Sequence, residues 1–418
     1  MVELTKKNLS HNLYLNCFHE FSWGFGIAFH TTYALIPLFL KKLGAPDSVI
    51  ISIAGLFSVL IAFPMFFSAV LGRNIRNIKK AVFLSHCIAL PPMFFAGFLF
   101  AFFAPTGPNA WVYYYVCFIL YCLSLGFIIP IWTEFLAHIF PRKNRGHYLG
   151  ISFAFNSVGG FVGGIIVKIL LNSSIPFPNN FGWGFIIMGV SMGLGVFIYL
   201  FYNVDDITDN TPPKTIADFW HDTKMIIKTH ENFKRYLLSR IFITAHFPAM
   251  SLYAVYTQEL FGFKVSSAGI FIVLQVIAFG LGSILSGKFG DRWGHKTAIT
   301  ISFSGYLLAI MFTIFATSMT HVYAIFLTLG LGHGGFMPSA MNMVYEFAES
   351  RDSKTYMALI DTFLAPFVLL MIVSASLLNP IIGTRNLFIL SGILIAIGLL
   401  LLTFWVKEPR LHPHKMIS

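Results

Sequence analysis

The sequence predicts an all-α integral membrane protein of twelve transmembrane helices arranged as two six-helix repeats. Three observations carry that prediction. Twelve apolar stretches recur along the 418 residues. Hydrophobic residues make up 56% of the chain and charged residues only 11%, against about 25% charged in soluble domains. The basic residues, finally, gather on one set of alternating loops. A spanning helix needs about 20 apolar residues, so twelve would use roughly 240, close to the apolar content of the whole chain. No room is left for a separate soluble enzyme domain.

In chain order the expected spans are 17–40, 48–71, 81–103, 111–138, 147–171 and 182–202, then 236–258, 266–287, 297–318, 321–347, 356–378 and 385–406. The first is preceded by sixteen polar residues with no short apolar core and cleavage site, so a removed signal peptide is not expected. Prolines 37, 130, 248, 338 and 366 fall within spans and predict kinks. Cys17, Cys87, Cys117 and Cys122 lie in apolar runs without ligand-type spacing, which predicts small core residues rather than disulfides or a metal site.

The net charge of +11 is explained by orientation rather than by nucleic acid. With the N-terminus placed in the cytoplasm, 22 of the 28 Lys and Arg fall on cytoplasmic segments. Only Lys41, Lys42, Lys264 and Arg385 fall outside, with Lys168 and Arg240 inside spans. That asymmetry puts both termini in the cytoplasm.

Residues 203–233 separate two sets of six spans. Pro212-Pro213 breaks this stretch, and Ile216, Phe219, Trp220, Thr223, Met225, Ile226 and Ile227 then alternate with charges, as in a short amphipathic helix on the cytoplasmic surface. The expected organisation is an N-terminal six-helix half (1–202), this linker (203–233), and a C-terminal half with a cytoplasmic tail (234–418). A shift of 208 places Gly126 on Gly334, Pro130 on Pro338, Lys143 on Arg351 and Tyr148 on Tyr356 without a gap, which points to duplication.

The loop after the eighth stretch reads Gly287-Lys288-Phe289-Gly290-Asp291-Arg292-Trp293-Gly294-His295-Lys296. It closely resembles the loop motif of the major facilitator superfamily of secondary transporters, Gly-x-x-x-Asp-Arg/Lys-x-Gly-Arg/Lys-Arg/Lys, matching at Gly287, Asp291, Arg292, Gly294 and Lys296. His295 stands at a usually basic position. The resemblance implies the major facilitator fold, with two parallel repeats, rocking alternating access and a substrate site between the halves near the midplane. It also implies that the five matching residues form a gating motif, in which glycines allow a tight turn and Asp291 pairs with basic groups near a helix N-terminus. The first-half copy, Gly72 to Lys80, keeps a glycine and basic residues but has no acid, which shifts the expected latch onto Asp291. Proton-linked drug exporters of this family carry an arginine in span four and a proline in a glycine-rich span five. Span four here has no such arginine, and Gly159-Gly160-Phe161-Val162-Gly163-Gly164 has no proline, so these glycines are read as helix packing.

Ionisable residues within spans are costly and mark function. They are His19, Glu20, His30, Glu134, His138, Lys168, Arg240, His246, His333, Glu346 and Asp361. Glu20, His30, Glu134 and Asp361 are the proton-coupling candidates, because a carboxyl in an apolar run or a histidine near mid-span can hold a transported proton. Glu20 and Glu134 each sit about 5 Å inside a cytoplasmic end and could face each other, while Arg240 and Asp361 could neutralise one another. Tyr33, Trp132, Asn156, Arg240, His246, Tyr253, His333 and Asn342 are the substrate-cavity candidates.

The function expected is secondary transport of a small organic solute across a bacterial inner membrane, coupled to protons. Compact length, a short linker and the lack of long glycosylatable loops point to that membrane. The partners expected are a small-molecule substrate and the lipid bilayer, with no nucleic acid, no cofactor and no metal, in a monomer. The alternatives are a lipid or drug exporter of the same fold, or a transporter-like sensor. A membrane enzyme is disfavoured, since no His-Glu-x-x-His, Gly-x-Ser-x-Gly or phosphate-cradling loop is found.

Overall fold

Proline decides where the first span of each half stops being one helix. In the computed structural model, which describes residues 6–71, 77–141, 145–204, 216–349 and 353–411, the first crossing is α1 (Lys6–Ile27), a single 3-10 turn (Ala28–His30) and α2 (Leu35–Lys42). The seventh is α9 (Glu231–Ile243) followed by α10 (His246–Phe261). Pro37 and Pro248 are each the third residue of the second segment. A proline is tolerated in a first turn, but in a continuous helix its ring would strike the carbonyl four residues earlier. Thr31 closes the first break, its hydroxyl accepting from the Leu35 amide at 3.1 Å. Both breaks carry the same local sequence, Ile27-x-x-His30 and Ile243-x-x-His246.

The other crossings are continuous. They are α3 (Asp47–Leu71), α4 (Ile78–Phe98, prolonged by a π turn to Phe103), α5 (Ala110–Ile139), α6 (Arg145–Asn172) and α7 (Asn179–Phe197, with a 3-10 turn to Phe201). After α8 (Ile216–Thr229) and the broken seventh come α11 (Ala268–Trp293), α12 (His295–Ile314), α13 (Met319–Ala348), α14 (Ser353–Ile382) and α15 (Thr384–Phe404). Ten crossings are long and apolar enough to be recognised as spans by composition. The other two are α9–α10, whose pieces are too short singly, and α13, which glycine, histidine and threonine make less apolar. Pro130, Pro338 and Pro366 lie inside continuous helices, so only two of the five expected kinks become breaks.

One expected boundary moves. Helix begins at Lys6, eleven residues before the expected start, because the polar N-terminal residues are partners for the end of the sixth span. Asn12 donates to the Asn203 carbonyl and accepts from its amide, both at 3.0 Å, and the Tyr202 hydroxyl donates to Asn16 Oδ1 at 3.2 Å. The linker helix α8, expected to be amphipathic, buries Phe219 and Ile226, exposes Trp220 and Met225, and packs on α9 and α14. The first-half loop copy lies largely outside the described residues.

The glycines of the fifth span act as read from sequence. A Cβ on Gly159 would stand 2.1 Å from the Phe21 carbonyl oxygen, and one on Gly24 would stand 2.0 Å from that of Asn156. Thus α1 and α6 touch backbone to backbone. Cys17, Cys117 and Cys122 are buried, Cys87 is half-buried, and all four are free thiols.

The two halves join through α6 on α11, α3 on α14, and α10 on α2 and α3. With twelve crossings the start of α1 and the end of α15 share one face. The ties between the halves lie toward the opposite face. There the Ala54 amide donates to Ser251 Oγ at 2.9 Å, Asn379 Nδ2 to Asp47 Oδ2 at 3.3 Å, and the Tyr33 hydroxyl to Gln275 Oε1 at 2.9 Å. Lys41 and Glu259 close the rim as an ion pair.

Candidate functional site

Arg240 is the most unusual group in the second half. It occupies the last turn of α9, just before the break, where the helix dipole favours a cation. Its Nη1 donates to the Tyr236 hydroxyl at 2.8 Å. The guanidinium carbon lies 5.0 Å and 4.7 Å from the ring centroids of Phe303 and Phe336, which stack on each other at 5.0 Å. These contacts hold the charge against aromatic faces rather than against an acid. Its Nε is buried and has no hydrogen-bond partner. Proteins rarely leave such a donor unpaired, so it calls for an acceptor that the described residues do not supply. Asp361 on α14 feels the Arg240 charge. Nearby, His246 donates from Nδ1 to the Ile243 carbonyl at 2.7 Å, and its ring lies parallel to Tyr306 at 4.6 Å.

In the first half, Glu20 is 3% exposed and accepts from Asn156 Nδ2 at 3.0 Å. An acid this buried with a neutral amide partner is costly to ionise. Next to it, away from the Asn156 side, lies a ring network that sequence reading left unassigned. Tyr199 Oη stands 3.1 Å from His19 Nε2 and 3.3 Å from His86 Nε2, and the two Nδ1 atoms meet the carbonyls of Gly195 and Val82. His86 and Tyr199 carry no motif; only their distant partners reveal them.

A third cluster joins the loop motif to the tail. The Glu408 carboxylate accepts from the Lys296 amide at 3.1 Å, and Lys296 Nζ donates to the Thr403 carbonyl at 2.7 Å. Arg410 Nη1 donates to the Asp291 carbonyl at 3.1 Å. Gly294 has φ +96°, and a Cβ there would stand 2.0 Å from Glu408 Oε2. A Cβ on Gly290 would stand 2.3 Å from the His295 ring. The glycines therefore admit both the turn and the groups packed on it.

The model of the Major Facilitator Superfamily matches residues 21–256 and again 236–416. The chain belongs to the Major Facilitator Superfamily. Its fold is also that of a solved nucleoside transporter, NupG, with a TM-score of 0.72 over 96% of this chain and all of that one at 13% identity. A bacterial homologue of the human lysosomal transporter Spinster gives 0.67 over 99% of this chain and all of that one at 15%. Among curated proteins the niacin transporter NiaP of Acinetobacter baylyi is 27% identical over 128 residues, 31% of this chain and 29% of that protein. The 4-hydroxybenzoate transporter PcaK of Pseudomonas putida is 26% identical over 167 residues, 38% of this chain and 36% of that one. The chain thus aligns with about a third of the length of those two. The class H tetracycline resistance protein of Pasteurella multocida is 24% identical over 310 residues, 68% of this chain and 70% of that protein.

Within this superfamily fold the expected site residues separate. Arg240, His246 and Asp361 come together in the second half, and Glu20 and Asn156 pair in the first. Glu134 is partly exposed on α5 beside His138, 3.8 Å away, because one turn separates the two on a helix rim. His30 is core, 2.8 Å from the Tyr114 hydroxyl and enclosed by Phe118 and Tyr121. Tyr253 is also core, stacked on Phe388 where α10 meets α15. Tyr33 ties the halves together instead of lining open space. Trp132 is half-buried with an unpartnered indole N–H, His333 stands edge-on to Phe279, and Asn342 is exposed on α13. In the gating motif Gly287 has open space around it. Arg292 lies over the Trp293 ring at 5.1 Å. Asp291 meets the tail through its carbonyl and its charge reaches His295, while Glu408 brings a second carboxylate to the same turn. Glu408 and Arg410 escaped sequence reading because more than 110 residues separate each from Lys296 except in space, and Glu346, noted only as an acid within a span, lies 50 residues from it.

Proposed function

We propose that this chain is a proton-coupled secondary transporter of small aromatic carboxylic acids, working as a monomer by alternating access in a bacterial inner membrane with both termini in the cytoplasm. The observation that carries the reading is Arg240: a cation inside a span, flanked by two phenyl rings, with its Nε donor unpaired. A carboxylate is the acceptor that a guanidinium edge fits best, and a planar ring is the body that Phe303 and Phe336 favour. Nicotinate and 4-hydroxybenzoate, the compounds named for two relatives, are both carboxylates on one aromatic ring. The positive-inside asymmetry supports the orientation. The longest alignment is with a drug-resistance protein, yet a lone cation facing an anion-sized demand favours an organic acid over a bulky drug.

Binding is tested by thermal unfolding of purified protein. Nicotinate and 4-hydroxybenzoate are expected to raise the melting temperature, since a ligand at about 100 times its Kd stabilises by about 2.7 kcal/mol. Nicotinamide, which lacks the carboxylate, is expected to do nothing. Equal shifts with nicotinate and nicotinamide would remove Arg240 from the account.

The breaks at 28–34 and 244–245 suit α2 and α10 to swing as the outer gate, held shut by Lys41 and Glu259. An exposed pair is worth about 0.2–1 kcal/mol, so Lys41→Ala should raise the outward-open population by up to about five-fold. Labelling of a cysteine introduced on α10 facing α2 reads that change, and unchanged labelling would show that the pair is not a gate. For coupling, Glu20 is the carboxyl whose burial favours carrying a proton. Glu20→Gln is expected to retain solute exchange between two equal pools while losing accumulation driven by a pH gradient. Full gradient-driven accumulation in that variant would transfer the role to Asp361.

A further inference from the structure

Glu408 uses one carboxylate oxygen to hold the tail on the α11–α12 turn. Its second oxygen, Oε1, is buried with no partner, and so is Glu346 Oε2 at the end of α13. The Glu408 carboxyl is nevertheless near enough to act on Glu346. Two ionised carboxylates have no hydrogen to donate, so as a pair of anions they can only repel. One proton placed between them satisfies both orphaned oxygens at once.

We propose that Glu346 and Glu408 hold a single proton between them, and that this proton makes the docking of the tail on the α11–α12 turn sensitive to pH at the terminal face. Among the described residues, the other titratable and charged groups facing the pair are His295, Lys296, Asp291 and Arg410. His295 Nε2 lies 3.9 Å from Glu346 Oε1, and the Glu408, Asp291 and Arg410 charges reach His295 in turn. Lys296 faces Glu408, and Arg410 faces Glu346. With the proton in place the pair carries one negative charge, set beside the cations Lys296 and Arg410, and the tail is docked. Loss of the proton leaves two neighbouring anions, and Glu408, carried on the tail while Glu346 is fixed within α13, is pushed off Gly294 and the Lys296 amide. The turn released is the one that carries the loop motif. In the orientation proposed above the pH sensed is cytoplasmic, but the proposal does not depend on what the chain carries.

The test is a nitroxide on Leu411→Cys in the full-length purified protein, with the signal of protein lacking that cysteine subtracted. Its spin-label mobility is followed between about pH 5.5 and 8.5. The mobile fraction is expected to rise several-fold with pH in the parent protein. Glu408→Gln is expected to stay docked throughout, because its amide donates to Glu346 as the shared proton did. Glu346→Gln should behave likewise from the other side, and it keeps the test available if the first variant does not fold. A parent spectrum that ignores pH overturns the proposal. So does a Glu408→Gln spectrum that keeps the parent's pH response, or one that is mobile at every pH, which would make the anchor simple charge.

Discussion

Replacing Arg240 by lysine is expected to weaken binding of an aromatic carboxylate by about 10- to 150-fold. That range is the roughly 1.5–3 kcal/mol carried by a hydrogen bond to a charged group. Lysine keeps the positive charge but loses the planar edge that offers parallel donors to a carboxylate and lies flat on a ring. The measurement is isothermal titration with nicotinate and 4-hydroxybenzoate on both proteins. Because the Tyr236 hydroxyl also loses its partner, the melting temperature of the ligand-free variant must be recorded alongside. A variant that is equally stable and binds equally well would mean that the unpaired Nε is not a ligand contact.

The second large effect concerns the contact that holds the first half together. Gly159→Ala is expected to destabilise the protein by about 1–3 kcal/mol or more, since the new methyl meets backbone that cannot turn aside. Gly150, on the same helix, has nothing within 4 Å of its would-be Cβ. Gly150→Ala should therefore stabilise slightly, by up to about 1 kcal/mol, through helix propensity alone. Thermal unfolding of the two variants gives shifts of opposite sign if packing governs. Shifts of the same sign would show that these glycines act through backbone flexibility.

Spans and the two-fold repeat were legible because they depend on local composition. A run of 20 apolar residues declares itself wherever it lies. The breaks in the first and seventh spans were half legible. Pro37 and Pro248 were visible, but Pro130 and Pro338 look no different in sequence and leave their helices continuous. What separates them is the following structure, in which α2 and α10 are short segments seated across the rim of the other half. The site was less legible for the same reason. Arg240 stood out as a lone cation in a span, but its phenyl walls come from α12 and α13, more than 60 residues further on. Glu408 looked like an ordinary tail acid until Gly294 was seen to make room for it. Tyr253 and His30, chosen as polar groups inside spans, are buried in the core, His30 against the Tyr114 hydroxyl and Tyr253 stacked on Phe388.

Transport itself is tested most directly by uptake into proteoliposomes. Purified protein is reconstituted, a proton gradient is imposed with the inside alkaline, and labelled nicotinate, 4-hydroxybenzoate and a neutral sugar are followed. At least one of the two acids is expected to accumulate above its outside concentration. A protonophore should abolish the accumulation, Arg240→Lys should diminish it, and the sugar should stay at background. Folded, correctly inserted protein that neither accumulates nor exchanges either acid would contradict proton-coupled transport of these acids.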